Sequence, residues 1–219
     1  MELHGVAAIV TGGASGLGGA TAGLLAKAGA RVTIFDMNEE TGLAHATQIG
    51  GRFAKVNVCD EESVANALAA AETAHGVARV LVNCAGILIG AKTVGREAVP
   101  RSLDQFRKVI EVNLTGTFNV ISKFAARLSL AEKLGEERGV IINTASVAAY
   151  EGQVGQVAYA TSKGGVVSMT LPIARDLAQL GIRVCTIAPG IFCTPMLGAM
   201  PQNVQDSLGQ QVPFPSRLG

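Results

Sequence analysis

Short apolar runs rich in β-branched residues alternate along the chain with longer alanine- and leucine-rich stretches, in which apolar positions recur every three or four residues. The runs predict strands at Val6–Val10, Arg31–Phe35, Phe53–Val58, Val80–Asn83, Val140–Thr144 and Arg183–Ile187. The periodic stretches predict helices over Gly16–Lys27, Glu40–Gln48, Glu62–Thr73, Leu103–Leu130 and Tyr159–Gln179. Gly29 stops the first of these, and Pro172 should bend the last. Strands that are apolar throughout and alternate with helices call for a parallel sheet covered on both faces. No linker or composition shift divides the chain. The expectation is one doubly wound α/β domain spanning residues 1–219, on a parallel sheet of six strands.

Composition narrows the function classes. The 219 residues are 48% hydrophobic and only 16% charged, which suits one well-developed core. A net charge of +1 provides no long-range field for nucleic acid or an acidic membrane surface. Cys59, Cys84, Cys185 and Cys193 are far apart, which suits packing residues in a reducing compartment better than a disulfide framework. His4, His45 and His75 show no metal-ligand spacing, so no metal site is expected. Met1–Val10 lacks a cationic start followed by a long apolar run, and no apolar stretch is long enough to span a membrane. A soluble cytoplasmic protein is the expectation.

Two constellations carry chemistry. The first strand leads directly into Thr11-Gly12-Gly13-Ala14-Ser15-Gly16-Leu17-Gly18. Glycines at 12, 16 and 18 permit a tight turn, close approach of a pyrophosphate to backbone N–H groups, and close helix–sheet packing. A glycine-rich turn without a ligand is the plainer reading, but the strand–turn–helix context favours a dinucleotide. Asp36, ending the second strand, can accept bonds from ribose hydroxyls and would repel a 2′-phosphate, so NAD(H) is favoured over NADP(H). Capping of the next helix is compatible with that role. In the second constellation, Tyr159 and Lys163 are four residues apart and share a helix face, with Ser146 just past the fifth strand. A neighbouring ammonium should lower the tyrosine pKa from about 10 and make proton exchange feasible near neutrality.

With these residues in place, the sequence resembles the short-chain dehydrogenase/reductase family, from residue 5 to the end. The resemblance rests on the glycine turn, Asn83-Cys84-Ala85-Gly86, Asn113, Ser146, Tyr159, Lys163 and Pro189-Gly190. More narrowly, Gly139–Gln156, Met169–Leu177 and Val212–Gly219 are similar to the type 2 (short-chain type) 3-hydroxyacyl-CoA dehydrogenases, some of which also oxidise hydroxysteroids. The resemblance implies a Rossmann domain in which Ser146 bonds the substrate oxygen and Tyr159 exchanges its proton. It implies that Lys163 holds the nicotinamide ribose and that Asn113 holds a water relaying protons to Lys163. Ser15 and Leu17 would meet the cofactor through the glycine turn. Asn83, Cys84, Ala85 and Gly86 would line its adenosine side, and Pro189, Phe192 and Thr194 its nicotinamide end. It further implies a homotetramer, with the helices around Asn113 and Tyr159 packing across subunits.

Asn57-Val58 replaces the family's Asp-Val pair, so an amide takes the place of the carboxylate that accepts from the adenine amino group. Relatives also continue past the equivalent of Gly219 through a helix, a seventh strand and a C-terminal segment. The sequence therefore reads either as a fragment or as an unusually short member with an open sheet edge. The loop Ile87–Ser102 carries Lys92, Arg96 and Arg101, which could attract coenzyme A phosphates. Phe192–Pro213, with Met196, Leu197 and Met200, reads either as a lid over an apolar substrate or as a segment whose methionines pack into the core. Three functions remain in play: a 3-hydroxyacyl-CoA dehydrogenase, a hydroxysteroid or other secondary-alcohol dehydrogenase, and a catalytically idle NAD-binding scaffold.

Overall fold

The computed structural model describes residues 1–199, 202–210, 212 and 214. Met200 and Pro213 of the expected lid lie outside the described residues, as does all of the Val212–Gly219 run except Val212 and Phe214. Six strands form one sheet: β1 Ala7–Thr11, β2 Arg31–Asp36, β3 Arg52–Lys55, β4 Val80–Asn83, β5 Gly139–Thr144 and β6 Ile182–Ile187. Their order is β3-β2-β1-β4-β5-β6, and every pairing is parallel. The order reverses beside β1, and in open parallel sheets ligands bind at such a switch point, outside the carboxyl ends of the strands.

Adjacent residues of a strand face opposite layers, and the core divides accordingly. Ile9, Leu81 and Ile141 join Val64, Leu68, Val120, Phe124 and Leu128 in one layer. Their neighbours Ala8, Val10, Val80, Val82 and Val140 join Ala22, Ile34 and Ala46 in the other. The first layer is covered by helices α3 (Glu61–His75), α5 (Gly116–Ser129) and α6 (Val157–Ala178), and the second by α1 (Gly16–Lys27) and α2 (Glu39–Gln48). No described helix is long and apolar enough to cross a membrane.

The expected elements form with three physical differences. The third strand leaves the sheet at Lys55 rather than Val58. Only the Val56 amide still reaches β2, at the Asp36 carbonyl, before Asn57 turns the chain by accepting from the Cys59 amide. The long helix expected over Leu103–Leu130 is α4 (Leu103–Ile110), a π turn (Glu111–Thr115) and α5, joined without a break in helical backbone. Such a turn inserts an extra residue, re-aims what it carries, and leaves no hydrophobic signature. Helix α6 continues through Pro172, where Ser168, whose carbonyl loses its partner, and Pro172 itself are both exposed to water. The presumed lid contains two further helices, α7 (Pro195–Gly198) and α8 (Gln202–Gln210).

Phe124, 2% exposed, joins α5 to the sheet. Phe124→Ala should destabilise the fold by about 3–5 kcal/mol, measured as a lowered urea midpoint.

Candidate active site

β1 ends at Thr11, whose hydroxyl accepts from the amides of Cys84 (3.2 Å) and Ala85 (3.1 Å) just beyond β4. Gly12 then turns with φ +65° so close to that segment that a Cβ would lie 2.7 Å from the Ala85 nitrogen. A Cβ on Gly18 would lie 2.2 Å from the Gly12 carbonyl oxygen. The turn, the first turn of α1 and the Asn83–Gly86 segment thus pack backbone against backbone.

Helices α2, α3 and α4 are capped by the side chains of Asn38, Asp60 and Ser102. Helix α1 differs: Ser15 at its start makes no side-chain cap, and its first turn carries no acidic residue. Its amides and the positive end of its dipole are left for an external anion, which fits a dinucleotide pyrophosphate. Thr194 lies over this turn, 3.7 Å from where a Gly16 Cβ would stand. Asp36 accepts from the Ala14 amide (3.1 Å) through one oxygen and from Asn38 (3.0 Å) through the other. The carboxylate is therefore pinned to the glycine turn, and Asn38, not Asp36, caps α2. Strand register also sets Lys55 opposite Asp36, but its ammonium is paired with Glu39 at 3.2 Å.

The second cluster gathers at the ends of β5 and β4. Ser146 follows β5 and shares a hydrogen bond with the Tyr159 hydroxyl. Lys163, one turn along α6, is 5% exposed; its ammonium donates to the Thr144 carbonyl (2.6 Å) and sits 5.8 Å from the Tyr159 ring centroid. Burial disfavours that charge and lowers the lysine pKa to about 8. The expectation that Lys163 lowers the tyrosine pKa is not what this arrangement gives. Burial raises the Tyr159 pKa, and the Ser146 hydrogen bond is what opposes the rise. The physical reason is direction: the ammonium meets a main-chain carbonyl and passes over the ring.

Asn113 lies in the π turn, fully buried. Its amide oxygen accepts from the Ile87 amide (2.8 Å), and its nitrogen donates to the Ile87 carbonyl (2.9 Å) and to Ser162 Oγ (3.0 Å). A water relay would therefore have to use its main chain. Three residues to which the sequence assigned no role of their own prove structural here: Thr11, Thr144 and Ser162, whose hydroxyl donates to the Tyr159 carbonyl at 2.7 Å. Each acts through a backbone group or a fully buried bond, which no sequence spacing reveals.

Other expected residues are arranged differently. Asn57 is exposed and its oxygen is already engaged by Cys59, while Val58 is core. The Cys84 backbone joins the glycine turn, but its thiol faces Thr144 (3.3 Å), and burial raises its pKa. The Pro189 carbonyl accepts from Val147 (3.0 Å), tying the loop after β6 to Ser146, while Phe192 is exposed. Among the loop cations, Lys92 and Arg96 are exposed, but Arg101 turns inward onto its own loop's carbonyls. That geometry removes Arg101 from the candidate phosphate ligands.

The sequence model of the short chain dehydrogenases matches residues 6–205. The chain is 52% identical to the human 3-hydroxyacyl-CoA dehydrogenase type-2, covering 100% of this chain and 85% of that protein. It is 48% identical to the Drosophila melanogaster protein of the same name, covering 99% and 87%. Among solved structures, 3-hydroxyacyl-CoA dehydrogenase type-2 from Mycobacterium avium superposes with a TM-score of 0.91 at 42% identity, covering 98% of this chain and 84% of that one. The chain belongs to the short-chain dehydrogenase family and is an oxidoreductase of the type 2 3-hydroxyacyl-CoA dehydrogenase kind.

An unfolded lysine keeps its proton to about 10.5, whereas folded Lys163 loses it near 8. Between these values the unfolded lysine binds more protons than the folded one, so the contribution of Lys163 to stability should climb with pH across that interval, against the opposite contributions of Cys84 and Tyr159, whose pKa values burial raises. Lys163→Met should abolish this slope and raise stability at pH 7 by on the order of 1 kcal/mol, as burial of a charge is relieved and one carbonyl bond is lost. Urea titrations of both proteins from pH 7 to 10 check it.

Proposed function

We propose that this short-chain dehydrogenase uses NAD(H) to interconvert a 3-hydroxyacyl-CoA and the corresponding 3-oxoacyl-CoA. The observation that carries the reading is the meeting of Ser146, Tyr159 and Lys163 at the strand ends beside an uncapped, glycine-lined helix N-terminus. Likeness to relatives named for that substrate supports the acyl-CoA assignment. When bound, the nicotinamide supplies or accepts the hydride.

The chain's own groups handle the proton and the placement. In reduction, the Tyr159 hydroxyl donates its proton to the substrate oxygen, which Ser146 also holds by a hydrogen bond; in oxidation, Tyr159 takes the proton back. A tyrosine pKa raised by burial keeps the phenol protonated at neutral pH, the form that reduction needs. Lys163 holds the nicotinamide ribose, and the burial that lowers its pKa to about 8 leaves it able to release its proton near that pH. Asn113 fixes Ile87 and, through Ser162, the α6 backbone at Tyr159.

Gly12, Gly16 and Gly18 cradle the pyrophosphate, with Ser15 and Leu17 at its phosphates and ribose. Asp36 accepts from the adenosine ribose hydroxyls, Asn83–Gly86 line the adenosine side with Asn57-Val58 near the adenine, and Pro189, Phe192 and Thr194 border the nicotinamide. Exposed Val147, Tyr150, Val154 and Met196 provide an apolar mouth for the acyl part, and Lys92 and Arg96 provide charge for coenzyme A phosphates. Exposed Leu103, Phe118 and Leu171 on α4, α5 and α6 are the contacts of a homotetramer.

With acetoacetyl-CoA, loss of NADH absorbance should be rapid in the wild type and fall at least about 100-fold in Tyr159→Phe. Turnover of a hydroxysteroid but not the thioester would replace the substrate assignment, and turnover of neither would make the chain a nucleotide-binding scaffold. Separately, Asp36→Ala should weaken NADH binding and shift the NADH-to-NADPH preference by at least about tenfold towards NADPH, read from the two KM values. An unchanged ratio would remove Asp36 as the selecting group.

A further inference from the structure

The segment after β4 is a small folded hairpin. Gly95 donates to the Val99 carbonyl (2.7 Å), Arg101 donates from its backbone to Thr93 (2.9 Å), and Val94 bridges Pro100. Its tip at Glu97 and Ala98 takes positive φ values of 56° and 59°, which side-chain-bearing residues seldom adopt. Hairpin pairing this short does not hold such a tip unaided. What closes it from within is the Arg101 guanidinium, which donates to the carbonyls of Ala91 (2.6 Å) and Ile89 (3.0 Å) and has a buried Nε.

Two points of this segment are tied to the site. At its base, Ile87 is clamped by Asn113, and Gly86 would bring a Cβ within 3.7 Å of the Lys163 ammonium. Further along, the Ala91 amide donates to the Gly155 carbonyl (2.9 Å), on the loop between Ser146 and Tyr159. Ala91 is therefore held twice: its amide latches the loop that precedes Tyr159, and its carbonyl is gripped by Arg101. The segment after β4 is thus joined to the loop that precedes the reacting tyrosine, and Arg101 links that junction to the hairpin.

We infer that Arg101 is a positioning residue: by gripping Ile89 and Ala91 it makes the hairpin a fixed wall of the substrate mouth and sets how tightly a bulky acyl thioester is held. The inference rests on the acyl-CoA reading for its choice of substrate, but its geometry does not. Arg101 lies away from the glycine turn and does not touch the Ser146–Tyr159–Lys163 cluster, so its loss should act on large substrates and spare cofactor affinity and the chemical step.

The test compares wild type, Arg101→Ala and Arg101→Lys with acetoacetyl-CoA and with a small 3-oxo ester, at saturating NADH. In Arg101→Ala, KM for acetoacetyl-CoA should rise about tenfold. Its kcat, the KM for NADH and both constants for the ester should stay within about twofold. Arg101→Lys, able to reach one carbonyl, should recover part of the thioester KM. Equal losses on both substrates, a changed NADH KM, or no change at all would overturn the inference. Hydrogen–deuterium exchange provides the arm independent of substrate: the amides of Ala91, Gly95 and Arg101 should lose protection in Arg101→Ala. If wild type ignores the thioester yet reduces the ester, the acyl-CoA reading fails on its own. The wall then stands if those amides lose protection and falls if they do not.

Discussion

The placement of the Lys163 ammonium in an almost dry interior constrains everything around it. A buried cation needs a strong acceptor, and here it meets the Thr144 carbonyl, which has no further strand residue to bind because β5 ends there. That carbonyl is available at the right place only because parallel strands finish together along one edge, with Thr11, Asn83 and Asn143 in register across β1, β4 and β5. Asn83 donates to Asn143 (3.0 Å), so the edge is joined by side chains as well as by the ladder. Space for the ammonium also requires small neighbours. Gly86 is one: a Cβ there would press on the Asn113 oxygen at 3.3 Å and already stand in contact with the Lys163 ammonium at 3.7 Å. The burial that lowers the lysine pKa and the burial that raises the tyrosine pKa have one source, the packing of α6 onto this edge. The two shifts move the lysine pKa towards neutrality and the tyrosine pKa away from it, so near neutral pH it is the lysine that comes close to titrating while the tyrosine keeps its proton.

A second dependence runs sideways. The π turn in the α4–α5 helix turns Asn113 inward, and from that one amide bonds reach the Ile87 backbone and Ser162, then the Tyr159 carbonyl. Gly165 permits the close approach of α6 to this turn, since a Cβ there would come within 2.6 Å of Leu114. Position of the tyrosine therefore depends on a helix irregularity two elements away.

Much of this was legible in the sequence, for identifiable reasons. Strands β1, β2, β4 and β5 are buried on both faces or nearly so, while β6, at the edge, buries only alternate residues; their β-branched runs read directly, and the parallel topology follows from their alternation with helices. The glycine turn was legible because steric exclusion at Gly12 and Gly18 is a property of residue type. Ser146, Tyr159 and Lys163 were legible because helical spacing and a strand end are short-range facts. What the pattern missed depends on direction and on backbone. The end of β3 is set by the Asn57 side chain closing on Cys59, and the π turn by an extra residue that keeps the apolar rhythm. Charge alone grouped Arg101 with Lys92 and Arg96, yet burial separates it from them. Likewise, whether the lysine acts on the tyrosine hydroxyl depended on where the ammonium points, which spacing does not fix.

These differences divide the molecule into two regimes. The side of the glycine turn is built from backbone contacts between elements of the rigid sheet, and nearly every residue there is limited to what fits: a glycine at 12 or 18 has no substitute, and Asp36 is held by two amides. The substrate side is built from loops after β4, β5 and β6, which touch one another through a few backbone bonds such as Ala91 to Gly155 and Val147 to Pro189. Loops of this kind can change sequence without disturbing the sheet. One chemistry, hydride and proton exchange at a carbon–oxygen bond, can thus be kept while the shape of the molecule admitted changes. The side chains that fix loop geometry from within, such as an arginine gripping its own carbonyls, then discriminate between substrates without touching the reacting atoms.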